Sequence, residues 1–191
     1  MVVAAKVAAL LIALSSVAAA QDFRVEGTCR DGYAHGLYEL RDAKGTVRAV
    51  GAFNRGKRMG SFLFWNERGA REAQLPFDDD VLSGTVALWW PAQRGEPKPR
   101  VEASFVRGKR AGVTRTWHAS GKPQAELAYE DGQLRSARAT SEAGAPMPDA
   151  DARALAAREA ERDDARIASL LALVDSHLPL CEPASDRLEK S

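Results

Sequence analysis

An excess of positive charge is the first thing missing from this chain: 27 lysines and arginines stand against 26 aspartates and glutamates in 191 residues. A nucleic-acid partner is not expected, because such binding needs clustered positive charge to displace the counterions held by phosphates. Histidine is scarce too, with only His35, His118 and His177, each in a different segment. They share no metal-ligand spacing, and no nucleophile motif accompanies them. The reading is that of a protein that is not an enzyme and carries no cofactor. Asp78-Asp79-Asp80 has the oxygen ligands a hard cation takes. Three consecutive carboxylates, however, read first as a solvated turn. Cysteine is limited to Cys29 and Cys181, so one pair is the most the chain can form.

What is present begins with an export signal. Lys6 supplies a charged start, an uncharged stretch runs from Val7 to Val17, and Ala18-Ala19-Ala20 precedes the polar Gln21-Asp22. The apolar run is too short to span a bilayer, and Ala18 and Ala20 fit the small-residue cleavage rule. Residues 1–20 are read as a signal peptide cleaved after Ala20, with a short membrane anchor as the alternative. No cysteine follows the run, which argues against a lipid anchor. Cleavage leaves 171 residues (191 − 20) with 26 basic and 26 acidic side chains, a formally neutral mature chain. The localisation implied is periplasmic or secreted. Disulfides persist in such compartments, so Cys29 and Cys181 are expected to pair, with two buried free thiols as the alternative.

The mature chain repeats. Phe53, Gly56, Gly60, Phe62, Phe64, Trp65 and Gly69 set a frame that recurs at Phe105, Gly108, Gly112, Trp117 and Gly121, down to a shared Gly-Lys-Arg. Phe77, Gly84 and Trp89 lie between them. The steps are 24 residues (77 − 53) and 28 (105 − 77), and the four extra fit an insertion around Arg94 to Pro99. Tyr129 stands 24 after Phe105, and Cys29 stands 24 before Phe53. Four full units and a partial fifth therefore run from about Gly27 to about Thr140. Glycine-bearing turns such as Asp131-Gly132 separate segments rich in aromatic and β-branched residues, which reads as β-hairpins. A lone hairpin is only marginally stable, so such units must stack. The fold class is mainly β: a short solenoid of antiparallel β-hairpin repeats over residues 21–140, followed by a C-terminal α-helix.

The run Gly-Lys-x-x-Gly-x-Phe-x-Phe-Trp-x-x-x-Gly from Gly56 to Gly69, and more loosely from Gly108 to Gly121, resembles the MORN-type repeat of bacterial YwqK-like proteins. The unit at Phe77 departs from it, with Asp78-Asp79-Asp80 in place of the glycine turn, and the first unit has Cys29 in the aromatic place. The resemblance implies the hairpin solenoid, and it implies an antitoxin role, a label many relatives carry.

Residues 141–148, with Gly144, Pro146 and Pro148, read as a linker. From Asp149 no glycine or proline occurs until Pro179, so a helix of roughly twenty-five to thirty residues is expected in the segment 149–191, with an aspartate as N-cap. Ile167, Leu170, Leu171, Val174 and Leu178 give its second half an apolar stripe. Its first half, polar nearly all round, is expected to face solvent. The stripe needs a partner surface: the open end of the solenoid, or another protein.

Two repeated constellations are candidate binding surfaces. Trp65, Trp89 and Trp117 occupy one repeat position and should form a ladder, either as core or as exposed anchors, with Trp90 on the other face. Arg55, Lys57, Arg58 and Arg107, Lys109, Arg110 sit on equivalent turns and would form a basic ridge, facing anionic lipid or an acidic partner, or simply solubilising the hairpin tips. Shared repeat units suggest one surface with aromatic anchors and a charged rim. The function read from this is an exported protein mediating protein–protein binding, with an antitoxin or immunity role as its most specific form. An envelope-associated scaffold contacting anionic lipid or cell-wall polymer is the alternative.

Overall fold

The computed structural model describes residues 22–92 and 96–182, so the expected signal peptide lies outside the described residues. The strands are β1 (Arg24–Arg30), β2 (Tyr33–Arg41), β3 (Val47–Asn54), β4 (Lys57–Trp65), β5 (Arg71–Asp78), β6 (Val81–Leu82), β7 (Gly84–Trp89), β8 (Pro99–Val106), β9 (Lys109–Trp117), β10 (Pro123–Glu130) and β11 (Gln133–Ala139). They form one open antiparallel sheet in strict chain order, with the short β6 paired to β5 off the main path. The repeat is thus a hairpin ribbon in which each strand pairs with its sequence neighbours.

One edge of the ribbon is a stack of identical turns. Asp31-Gly32, Arg55-Gly56, Asp79-Asp80, Arg107-Gly108 and Asp131-Gly132 all hold positive φ at both central residues, 49–52° at the first and 73–82° at the second. That is the type I′ hairpin turn, whose twist matches the flanking strands. Asp80 takes the glycine place because aspartate tolerates the left-handed region better than most side chains. The departure at Asp78-Asp79-Asp80 therefore leaves the turn intact. Successive turns are stitched together: the N–H groups of Gly56, Asp80, Gly108 and Gly132 donate to the carbonyls of Ala34, Arg58, Leu82 and Arg110 at 2.8–2.9 Å.

The opposite edge carries longer turns, and here the expected linker is corrected. At Asp42, Asn66 and His118 the N–H donates to the carbonyl four residues on, at 2.9–3.0 Å, and Ser141 repeats this with Ala145 at 2.9 Å. Thr140 bridges Pro146, and Met147 N–H donates to Ala139. Residues 141–148 are a further repeat turn, delivering the chain directly into the helix.

That helix, α1 (Asp149–Asp175), does not plug the open end of the solenoid. It crosses the sheet from β11 back to β1, as its partners record in reverse chain order. Arg153 donates to the Arg135 carbonyl on β11, Arg110 of β9 pairs with Asp164, Arg100 of β8 with Asp163, and Glu72 of β5 with Arg166. Arg58 of β4 then meets Asp175, and Tyr38 of β2 donates to the His177 carbonyl. The second half buries Ile167, Leu170 and Val174 on Tyr38, Phe53, Phe62, Phe64, Leu75, Val86 and Leu88. The first half does not face solvent on all sides. Ala152 and Ala156 are buried against Leu127, Tyr129, Ala137 and Ala139, and Asp163 is buried too. Small residues let the helix approach the sheet closely, which is why no large apolar stripe advertised the contact. Asp149 is the first helical residue rather than its cap, which is Pro148. With Asp151 it places acid in the first turn, favourable to the helix dipole.

Cys29 and Cys181 form a disulfide with a Cα–Cα distance of 5.5 Å across 152 residues of sequence. It ties the segment after α1 to the edge strand β1, where Pro179 also sits against Gly27. A loop of this length is worth about 5 kcal/mol in the chain-entropy model. Because each hairpin is held mainly by its neighbours, Cys29→Ser with Cys181→Ser should free the end of α1 first. Hydrogen exchange is expected to show lost protection from Leu173 to Cys181, with the strands from β3 to β10 little changed. Equal loss throughout the sheet would contradict this.

Candidate binding surface

The two constellations lie at opposite ends of the strands. Lys57 opens β4 and Trp65 closes it, so eight residue steps, roughly 25 Å at about 3.3 Å each, separate the basic turns from the tryptophans. The single surface of aromatic anchors with a charged rim is therefore not formed.

The basic ridge is also broken up. Along the I′ edge, positive turns at Arg55 and Arg107 alternate with acidic ones at Asp31, Asp79-Asp80 and Asp131. Lys57 Nζ lies 2.6 Å from Asp79 Oδ2, and Arg58 Nε 3.0 Å from Asp80 Oδ1. Arg58 and Arg110 are turned inward: their guanidinium groups stand over the rings of Phe77 and Phe105 and reach Asp175 (3.2 Å) and Asp164 (2.9 Å) of α1. Of the six cations, Arg55, Lys57, Arg107 and Lys109 remain exposed. The alternating signs give the edge no continuous positive field.

The tryptophans end β4, β7 and β9, one residue beyond the buried Phe64, Leu88 and Thr116. All three are half-buried, neither dry core nor fully exposed anchors. Core duty on the covered face falls instead to Phe62, Phe64, Val86 and Leu88. Trp117 lines a cleft of about 660 Å³ with Thr116, Gln124, Ala125, Pro146 and Met147, where β9, β10 and β11 meet the turn at 141–147. Trp89 lines a second cleft of about 340 Å³ between β7 and α1, and the Arg71 guanidinium stands 5.4 Å from its ring centre. Trp65 offers its carbonyl to Arg48 Nε at 3.1 Å and lines neither cleft. Trp90 points to the helix side, its Nε1 donating to the Trp117 carbonyl at 3.0 Å.

Around Trp90 lies a cluster that sequence reading missed. Arg100 (5 % exposed) and Arg162 place their guanidinium groups 5.6 and 5.3 Å from the Trp90 ring centre. Arg100 Nη2 donates to the buried Asp163, and Arg100 Nη1 lies 3.7 Å from Glu159 Oε2. Arg48, Glu72, Arg100 and Gln124 occupy one repeat position, so the only available signal was a polar residue recurring beside the tryptophans. The three histidines do not converge. His118 Nε2 is 3.0 Å from the Thr140 carbonyl, His177 stacks on Phe23, and His35 is on β2. Asp79 and Asp80 serve the turn and its ion pairs, and among the described residues no group of His, Cys, Asp and Glu is arranged to hold a metal.

No protein-family model matches the sequence, and no curated protein matches it significantly. The binding surface is consequently argued from geometry.

Burial pushes the Asp163 carboxyl up to about 6, outweighing the opposing attraction of Arg100. A carboxyl held above its ordinary value near 4 means that the native state binds more protons than the unfolded chain between about pH 4 and pH 6. Its contribution to stability therefore falls as the pH rises through that window, by about 3 kcal/mol for a two-unit shift. Asp163→Asn removes the titration. The stability of the parent relative to this variant is expected to decline by that amount from pH 4 to pH 7 in denaturant titrations. A rise instead would mean that Arg100 wins over burial.

Proposed function

We propose that the mature chain is an exported, non-enzymatic repeat protein that binds another protein along the edge carrying Trp89 and Trp117. The observation that carries this reading is the half-buried Trp117 ring lining an open, mainly apolar cleft with a few polar groups. Such a site suits an inserted side chain or short segment, and tryptophan is among the residues that most often dominate binding energy. The MORN-type resemblance of the repeats supports an antitoxin or immunity role as the most specific form of this function. The Cys29–Cys181 disulfide is compatible with an oxidising, exported location, in keeping with cleavage after Ala20. A second reading, an envelope scaffold touching anionic lipid or cell-wall polymer, is favoured by the exposure of Arg55, Lys57, Arg107 and Lys109. The acidic turns between them weaken it.

Trp117→Ala separates binding from packing. On the binding reading, the variant melts within about 4 °C of the parent and loses the partner cross-linked to the parent in producing cells. A core tryptophan would cost about 3 to 5 kcal/mol, a drop of roughly 10 °C or more. That result would move the binding surface to the turns at Arg55 and Arg107.

A further inference from the structure

We infer that the smaller cleft, between the end of β7 and α1, is a binding site for a single carboxylate carried on an apolar or aromatic body. The cleft of about 340 Å³ is lined by Trp89, Pro91, Arg100, Arg162, Arg166 and Ser169, among others. Arg100 is the group that marks it. Its side chain is almost wholly buried, yet Nη1 has no hydrogen-bond partner among the described residues. Glu159 Oε2, at 3.7 Å, is near enough to attract the charge and too far to accept a hydrogen bond. An unmade bond on a buried charged donor is costly, so native structures rarely leave one without a purpose.

The guanidinium is also held ready. Nη2 is fixed by Asp163 and the Trp90 ring lies against its plane, so little rotamer freedom remains to be lost when Nη1 takes an oxygen. Arg162 stands over the same ring with about half of its side chain exposed, within reach of the cleft mouth. Arg166 is occupied by Glu72, which leaves Arg100 Nη1 and Arg162 as the available donors, with the Ser169 hydroxyl beside them. Three arginines (Arg100, Arg162, Arg166) face three carboxylates (Glu72, Glu159, Asp163), so the formal local charge is zero. That balance suits a monoanion that completes the unfinished fork and disfavours a multiply charged phosphate, whose extra charge would go unmatched. Trp89, Leu88 and Pro91 supply the apolar floor.

The site is distinct from the cleft at Trp117, and its test needs no natural partner. N-acetyl-phenylalanine and its C-terminal amide are titrated into the mature protein, following tryptophan fluorescence and the indole N–H signals in ¹H–¹⁵N spectra. A third probe, the capped peptide acetyl-Gly-Glu-Gly-amide, distinguishes a side-chain carboxylate from a chain terminus. A carboxylate probe should bind in the millimolar range, moving the indole signals of Trp89 and Trp90, with the amide about tenfold weaker or worse. Arg162→Ala should reduce carboxylate binding about tenfold while leaving the melting temperature in place, and Arg158→Ala on the same helix should do neither. Equal binding of acid and amide, signals moving elsewhere, or no saturation by any probe up to about 50 mM would each overturn the assignment. None of these outcomes depends on Trp117, so the site can fail while partner binding there stands.

Discussion

An open hairpin ribbon has two faces and, in this chain, one helix to cover them. Tyr38, Leu40, Phe62, Phe64, Leu75, Val86 and Val101 all lie on one face and are at most 1 % exposed, which is possible only because α1 lies across that face from β11 to β2. Apolar burial of this kind is the main favourable term in folding, and it is roughly proportional to the area removed from water. What burial does not supply is register, since an amphipathic helix can slide along a sheet at small cost. Arg58 and Arg110 hold equivalent positions in different repeats, and they meet Asp175 and Asp164, eleven residues apart on α1 (175 − 164). Eleven helical residues rise about 16 Å, close to the roughly 19 Å spanned by the four strand steps from β4 to β9. Glu72 with Arg166 and Arg100 with Asp163 reverse the polarity between neighbouring contacts, so a slide along the helix would bring like charges together. The ion pairs act as a register key laid over a hydrophobic contact.

The uncovered face follows a different logic in each half. Leu37 is 79 % exposed and Val50, Leu63 and Ala87 are partly so, whereas further along Glu102, Arg115, Glu126 and Arg138 lie in register on successive strands. Opposite charges on facing strand positions support pairing and keep that half wet. The sheet edges, where unpaired backbone would invite another strand, are partly covered. Pro179 and the disulfide lie against β1, and Arg153 and Met147 use outward carbonyls of β11. Binding is thereby directed towards the clefts at the long-turn edge.

Most of the architecture was legible because the repeat fixes it. The 24-residue step places a glycine or aspartate pair at every I′ turn, and one such frame read from Gly56 predicts the others. The disulfide was legible from the export signal and the two cysteines at either end of the mature chain. The course of α1 was not, because its first half contacts the sheet through Ala152, Ala156 and Asp163, residues that belong equally well on a solvated helix. Only the sheet's own small residues there, Ala137 and Ala139, make that contact sensible. The Trp row was legible as a position but not as an environment: strand length separates it from the basic turns, and that distance emerges only once the hairpins are laid out. Arg100 could not be singled out at all, since its partners lie 59 and 63 residues away (159 − 100 and 163 − 100).

The dependence of the sheet on its helix is open to one direct measurement. A chain ending at Pro148 retains every strand and every I′ turn but leaves the buried face open to water. Thermal and urea unfolding of residues 21–148 should then show no cooperative transition, with strong binding of a hydrophobic dye, and adding residues 149–182 as a separate peptide should restore at least part of the transition. A truncated chain that unfolds cooperatively within a few degrees of the parent would contradict the account, because the hairpins would then be stable without the cover that α1 provides.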